Sequence, residues 1–195
     1  RTGRRKRRRA ENDQAVCGGI EAGRDVLGPE GAELGKQLAA FCGASHAVSC
    51  ANGTDALALP LMAWGVKPGD AVFCPSFTFV ATAQVVPWLG ATPVFVDIDP
   101  IDCCMNPQQL ADRVGPRSKA VIPVHLFGQA ANMDAIMDAA GGVPVVEDCA
   151  QAWGADYGGR PVGSIGVMGA FSFFPSKNLG CFGDGGPITT ADEEL

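Results

Sequence analysis

From Ala32 onward the chain alternates short Val-, Ile- and Phe-rich runs with stretches of helix length. Strands are expected over 46–50, 70–76, 92–99, 119–128, 143–150, 169–175 and 186–192. Helices are expected between them, over 32–43, 52–65, 79–90, 106–115 and 131–141. A chain with this order can bury its strands in one way above all others, as a mainly parallel sheet covered by helices on both faces. Its 195 residues, 47% of them hydrophobic, suffice for one α/β domain with a sizeable core. In such sheets ligands sit at the carboxyl ends of the strands. That rule directs attention to the residues just past the end of each strand.

The first residues obey a different pattern. "RTGRRKRRRA" carries 7 of the 15 basic residues, which leaves 8 basic against 21 acidic residues in the remainder. No nucleic-acid motif and no interleaved aromatics accompany this run, so a solvated, poorly ordered end is expected, with at most one helix before residue 30. Nucleic acid is not an expected partner. No apolar stretch approaches the ~18 residues of a membrane span, and no secretory signal pattern follows the basic run. The chain begins without Met, so residues preceding Arg1 are expected. The eight cysteines form no CxxC pair, and both histidines, His46 and His125, lie far from any paired cysteine motif. No metal site is expected. Cys50, Cys74 and Cys149 fall in apolar segments and read as reduced, buried thiols of a cytoplasmic protein.

Three clusters at strand exits could carry chemistry. "ANGTDA" follows the 46–50 strand, and Gly53-Thr54 at a helix start offer free N–H groups, a hydroxyl and the positive dipole end, a seat for phosphate. An ordinary Asn or Thr helix cap explains the same residues. In "VPVVEDCAQ", Asp148 stands at a strand exit, where a carboxylate could face a cationic ligand atom or merely cap a turn. Gln151 could add a neutral donor to the same ligand. In "FSFFPSKNLGCFGDGGPITT", Lys177 is the only Lys or Arg after Arg160. A nucleophilic lysine must shed its proton, which desolvation promotes, and Phe173, Phe174 and Pro175 are expected to supply the apolar surround. Ser172 could offer its hydroxyl to a phosphate, and Phe79 could stack on a flat ring or simply pack in the core. A phosphate seat, a carboxylate for a ring nitrogen and an amine for an aldehyde together match the protein's side of pyridoxal phosphate chemistry.

The motifs that carry these residues occur in a familiar order. "NGTDAL", "PSFTFVATA", "PVFVDID", "AVIPVHLFGQ", "VVEDCAQAWGADYGGRPVGSIG" and "FSFFPSKNLGCFGDGGPITT" resemble those of the DegT/DnrJ/EryC1/StrS aminotransferases. The resemblance covers residues 26–195, begins with "VLGPE" at 26–30, and leaves 1–25 as a poorly matched basic segment. It implies the large domain of fold type I, which binds pyridoxal 5'-phosphate. It implies Lys177 as the amine linked covalently to the cofactor and Asp148 as the partner of its ring nitrogen. Gln151 would lie on the phenolic-oxygen side, Phe79 on the ring face, and Gly53, Thr54 and Ser172 at the phosphate. His125 is given no catalytic role. The implied reaction moves an amino group, usually from glutamate, to a keto sugar carried on a nucleotide. The wording around Lys177 is nearest the branch acting on UDP-linked sugars for surface polysaccharides. A homodimer is implied, as are more of the large domain and a small C-terminal domain beyond Leu195.

Some positions depart from the family pattern. Gly35 stands where an acid is usual, Pro60 interrupts a regular helix and is expected to bend it, and Pro187 replaces a small residue. Other readings stay open at this point. They are a relative acting on a cyclitol or aminobenzoate precursor and a non-catalytic regulatory relative. A dehydratase relative would carry His in place of Lys177. A nicotinamide-binding fold would need GxGxxG after a strand, which the chain lacks.

Overall fold

The computed structural model describes residues 2–23 and 28–194. Two units are distinguished, Arg1–Leu34 and Gly35–Leu195. In the first, α1 spans Thr2–Ala22. The basic run therefore lies in a helix, the one helix allowed before residue 30, where a poorly ordered end was the stronger expectation. Arg, Lys, Glu, Gln and Ala are good helix formers, and Arg9 pairs with Asp13 one turn on at 4.0 Å. That exposed pair contributes only a few tenths of a kcal/mol. Residues 26 and 27 of the "VLGPE" segment lie outside the described residues.

Helix α2 (Pro29–Cys42) leads into β1 (His46–Cys50) and α3 (Gly53–Ala63). Then come β2 (Ala71–Pro75), α4 (Val80–Trp88), β3 (Thr92–Val96), α5 (Pro107–Ala111) and β4 (Ser118–Val121). A 3-10 turn at Leu126–Gly128 precedes α6 (Met133–Ala140) and β5 (Val146–Asp148). A small hairpin, β6 (Asp156–Tyr157) and β7 (Arg160–Pro161), precedes β8 (Met168–Ala170) and β9 (Gly186–Thr190). The hairpin was not legible in the sequence. Several strands are shorter than expected: the segment after Ala170 leaves the sheet, and 122–128 passes into the 3-10 turn.

One ladder runs β1-β9-β8-β5 and another β3-β2-β4. Parallel bridges Val121–Val145 and Val124–Asp148 join them, so the order across the sheet is β1-β9-β8-β5-β4-β2-β3. Only β9 among these strands runs opposite to its neighbours. The expected mainly parallel α/β sheet is what forms.

Successive strand residues feed opposite faces, as the pleat requires. Val72, Ala120, Ile122 and Val146 pack with Leu57, Leu61, Val85 and Val86 of α3 and α4. Phe73, Val121 and Val145, their immediate neighbours in sequence, pack with Leu110, Met133 and Ile136 of α5 and α6. Both faces are therefore covered. Helix α3 continues through Pro60, whose ring is buried in the core-facing side, to a cap in which the Trp64 N–H reaches the Pro60 carbonyl at 3.1 Å. Gly35 has a physical reason: a Cβ there would lie 3.0 Å from the Ala47 carbonyl oxygen. A side chain at that position would need the neighbouring β1 backbone to give by a few tenths of an ångström.

The thiols follow burial. Cys42, Cys74, Cys104 and Cys149 are buried, and Cys50 is half-buried, while Cys17 is exposed. Burial pushes the Cys42 thiol up to about 11 and the Cys74 thiol up to about 12, so both remain protonated near neutrality. Among the described residues no helix is long and apolar enough to cross a membrane.

A buried polar network fixes β5. The His125 ring is fully buried; its Nδ1 accepts the Ala131 N–H at 3.0 Å. The proton therefore sits on Nε2, which donates to Glu147 Oε2 at 2.9 Å. Glu147 also accepts the N–H groups of Gly163 at 2.8 Å and of Ile165 and Gly166 at 2.7 Å. Four donors satisfy this buried carboxylate and tie the loop before β8 to β5. Glu147→Ala leaves all four without an acceptor, and urea unfolding should report a loss of about 3–5 kcal/mol. A loss below about 1 kcal/mol would refute the network's structural role.

Candidate active site

The carboxyl ends of β1, β2, β5 and β8 share one edge of the sheet because those strands run the same way. A cavity of about 660 Å³ opens there. Its walls include all seven residues singled out from sequence: Gly53, Thr54, Phe79, Asp148, Gln151, Ser172 and Lys177. Residues 53 and 177 are thus brought together by the order of strands, not by nearness in the chain.

Asn52 caps α3. Its Oδ1 accepts the Asp55 N–H at 2.8 Å, and its Nδ2 donates back to Asp55 Oδ2 at 3.1 Å. Both readings of "NGT" are compatible, because the cap occupies Asp55 and leaves the Gly53 and Thr54 N–H groups at the orphan first positions of the helix. Gly53 lies hard against Ser172: a Cβ at residue 53 would stand 2.6 Å from the Ser172 Cβ. Glycine is what allows the helix start and the Ser172 hydroxyl to border one space.

Asp148 ends β5 and is buried, opposite in direction to its neighbour Glu147. Its Oδ2 accepts the Thr82 hydroxyl at 2.7 Å and its Oδ1 accepts the Ala150 N–H at 3.1 Å. Burial raises the carboxyl above its ordinary range, and the two hydrogen bonds and the Lys177 ammonium pull it back. A cationic N–H from a ligand would oppose the same burial cost. Thr82 was not anticipated; the signal was the Thr78–Thr82 spacing of four across the start of α4.

Gln151 Oε1 accepts the Phe127 N–H at 3.1 Å, so the side of the amide left for a ligand is its NH₂ donor. Phe127 has φ 55, an uncommon conformation for a side chain of that size. Phe79 is 70% exposed, which discards core packing for it.

Lys177 differs from expectation in its surround. Phe173 turns into the core, its ring 5.9 Å from that of Trp153, and Phe174 is half-exposed. Lys177 is itself half-buried, its N–H donating to the Phe174 carbonyl at 2.8 Å. The apolar enclosure expected from the flanking aromatics is therefore only partial. The three residues His125, Glu147 and Cys149 cluster within 4.8 Å. Both nitrogens of His125 are already used, so it has no lone pair to offer a metal.

The sequence profile of the DegT/DnrJ/EryC1/StrS aminotransferase family matches residues 6–195. The chain belongs to this family. It is 53% identical over 178 residues to the UDP-2-acetamido-2-deoxy-3-oxo-D-glucuronate aminotransferase of Pseudomonas aeruginosa, covering 90% of this chain and 50% of that protein. It spans about half the length of the curated relatives it matches. A DegT DnrJ EryC1 StrS aminotransferase from Brucella abortus superposes with a TM-score of 0.91 at 46% identity, over 97% of this chain and 54% of that one. NtdA of Bacillus subtilis, solved with bound cofactor PMP, superposes with a TM-score of 0.86 at 31% identity, over 93% and 41%. The fold is that of the large domain of these family members.

Proposed function

We propose that the whole protein is a pyridoxal 5'-phosphate-dependent aminotransferase that moves an amino group, from glutamate, to a keto sugar carried on a nucleotide. The observation that carries this reading is the convergence on one cavity of a lysine, a buried carboxylate, a neutral amide donor, an exposed aromatic and a helix start abutting a serine. The residues fit the cofactor. Asp148 is a buried acid held on both oxygens yet raised by desolvation, as suits a site for a cationic ring nitrogen. The close approach of Gly53 to Ser172 suits a phosphate.

In this reading Gly53, Thr54 and Ser172 hold the phosphate, Phe79 covers the ring face, and Gln151 donates to the ring's phenolic oxygen. Asp148 keeps the ring nitrogen protonated. When bound, the cofactor supplies an electron sink for charge developing at the amino-bearing carbon. Lys177 would hold the cofactor covalently; once displaced by the amino donor, its Nζ would carry the proton from that carbon to the cofactor's C4′, and in the opposite direction when the keto sugar is aminated. The name of the Pseudomonas relative supports a UDP-linked keto sugar, and the wording around Lys177 supports a part in surface polysaccharide synthesis. The exposed Phe174 beside the cavity supports a homodimer in which a second copy covers it. The thiols would stay reduced in the cytoplasm.

Full-length protein supplied with the cofactor and glutamate alone should release one 2-oxoglutarate per site. Multiple turnover should follow only when a nucleotide-linked keto sugar is added, and a panel of UDP- and dTDP-linked sugars identifies it. No 2-oxo acid released from glutamate or any other amino donor would sink the reading.

A further inference from the structure

Asp148 is reached from the cavity wall through two hydroxyls. Thr82 Oγ1 donates to Asp148 Oδ2 at 2.7 Å, and Thr78 Oγ1 lies 3.0 Å from Thr82 Oγ1. Thr82 is fully buried, whereas Thr78 is half-buried and lines the cavity. A hydroxyl has one proton. With Asp148 ionised, the Thr82 proton must serve the carboxylate, so Thr78 must be the donor to Thr82. With Asp148 protonated, the carboxyl can donate and both hydroxyls can turn round. The direction of the relay is thus tied to the charge on Asp148.

We propose that Thr82, supported by Thr78, is a positioning residue that holds Asp148 ionised and aligned for the ring nitrogen of the cofactor. The inference rests on the reading of the site given above. Burial opposes the charge, and a short charge-assisted bond from a buried donor is the main protein contribution against it. The Ala150 N–H is the second donor, on Oδ1. The other titratable groups facing Asp148 are His125, Lys177 and Cys149. His125 is in its Nε2–H form and donates to Glu147, so it cannot substitute for Thr82.

The direct test is the titration of the Asp148 carboxyl carbon by NMR in cofactor-free, full-length protein labelled at aspartate. Removing a donor to the ionised form raises the acid's pKa. Thr82→Val should therefore move the midpoint up by about 1 pH unit or more. Thr82→Ser should restore it, and Thr78→Val, which does not touch Asp148, should move it the same way by less. A second readout is the affinity for pyridoxamine phosphate across pH, where Thr82→Val should bind about 10-fold more weakly at neutral pH and Thr82→Ser close to wild type. If the apo midpoint in Thr82→Val, or in Thr78→Val should the former not fold, coincides with wild type, the proposal is overturned. A shifted midpoint with no cofactor binding by any form upholds the relay and defeats the functional reading instead.

Discussion

Lys177→Ala should abolish the visible absorbance that the full-length protein shows when loaded with pyridoxal phosphate, and with it transamination. Two losses combine. On the proposed reading the side chain is the covalent tether, and among the described residues its Nζ is the only lysine amine lining the cavity. Loss of the proton transfer alone should lower turnover by about 10²–10⁴-fold. Stability should change little, because Lys177 is half-buried on a loop and its hydrogen bond to the Phe174 carbonyl, at 2.8 Å, is from its backbone N–H. Melting curves of wild type and variant should lie close together. A variant that kept the lysine-dependent band, or that turned over at the wild-type rate, would remove Lys177 from the chemistry.

Asp148→Ala should separate tether from chemistry. The lysine-dependent absorbance should persist, since Lys177 comes from a different loop, beyond β8. Transamination should fall by about 10²–10³-fold, the usual cost of removing one preorganised electrostatic partner from a water-poor site. The same change strands the Thr82 hydroxyl and the Ala150 N–H, whose acceptors lie 2.7 and 3.1 Å away. About 1–3 kcal/mol of stability should go with them. Asp148→Asn keeps an acceptor for the Ala150 N–H and offers its NH₂ to the Thr82 hydroxyl, which can turn to accept it, so it should recover most of that stability while remaining inactive. Activity retained in either variant would refute the pairing with the ring nitrogen.

How legible the site was depends on the kind of signal. The strand-exit rule found Asp148, Phe79 and the Gly53-Thr54 helix start, because a period-2 apolar run has a visible end and the residue after it must face the sheet edge. Thr82 and Glu147 were not found. Thr82 sits inside a helix as an ordinary residue, and only the packing of α4 on β5 makes it a donor to a carboxylate 66 positions away. Glu147 precedes Asp148 and so had to face the other side of the sheet. What met it there, three amides from 163–166 and His125, depends on how the loop after the hairpin folds back. The expected enclosure of Lys177 failed for a similar reason: Phe173 found a better partner in Trp153.

The sequence by itself determined the layered α/β class, the family and the residue types at the sheet edge. Apolar periodicity and strand exits are local, so neighbours in the chain reveal them. Tertiary structure alone decided the antiparallel course of β9, the meeting of Gly53 with Ser172, and the donors that hold Glu147 and Asp148. Apart from the Ala150 amide, two residues from Asp148, each of those joins segments at least 16 residues apart, through contacts only a few ångströms long that depend on strand order and packing.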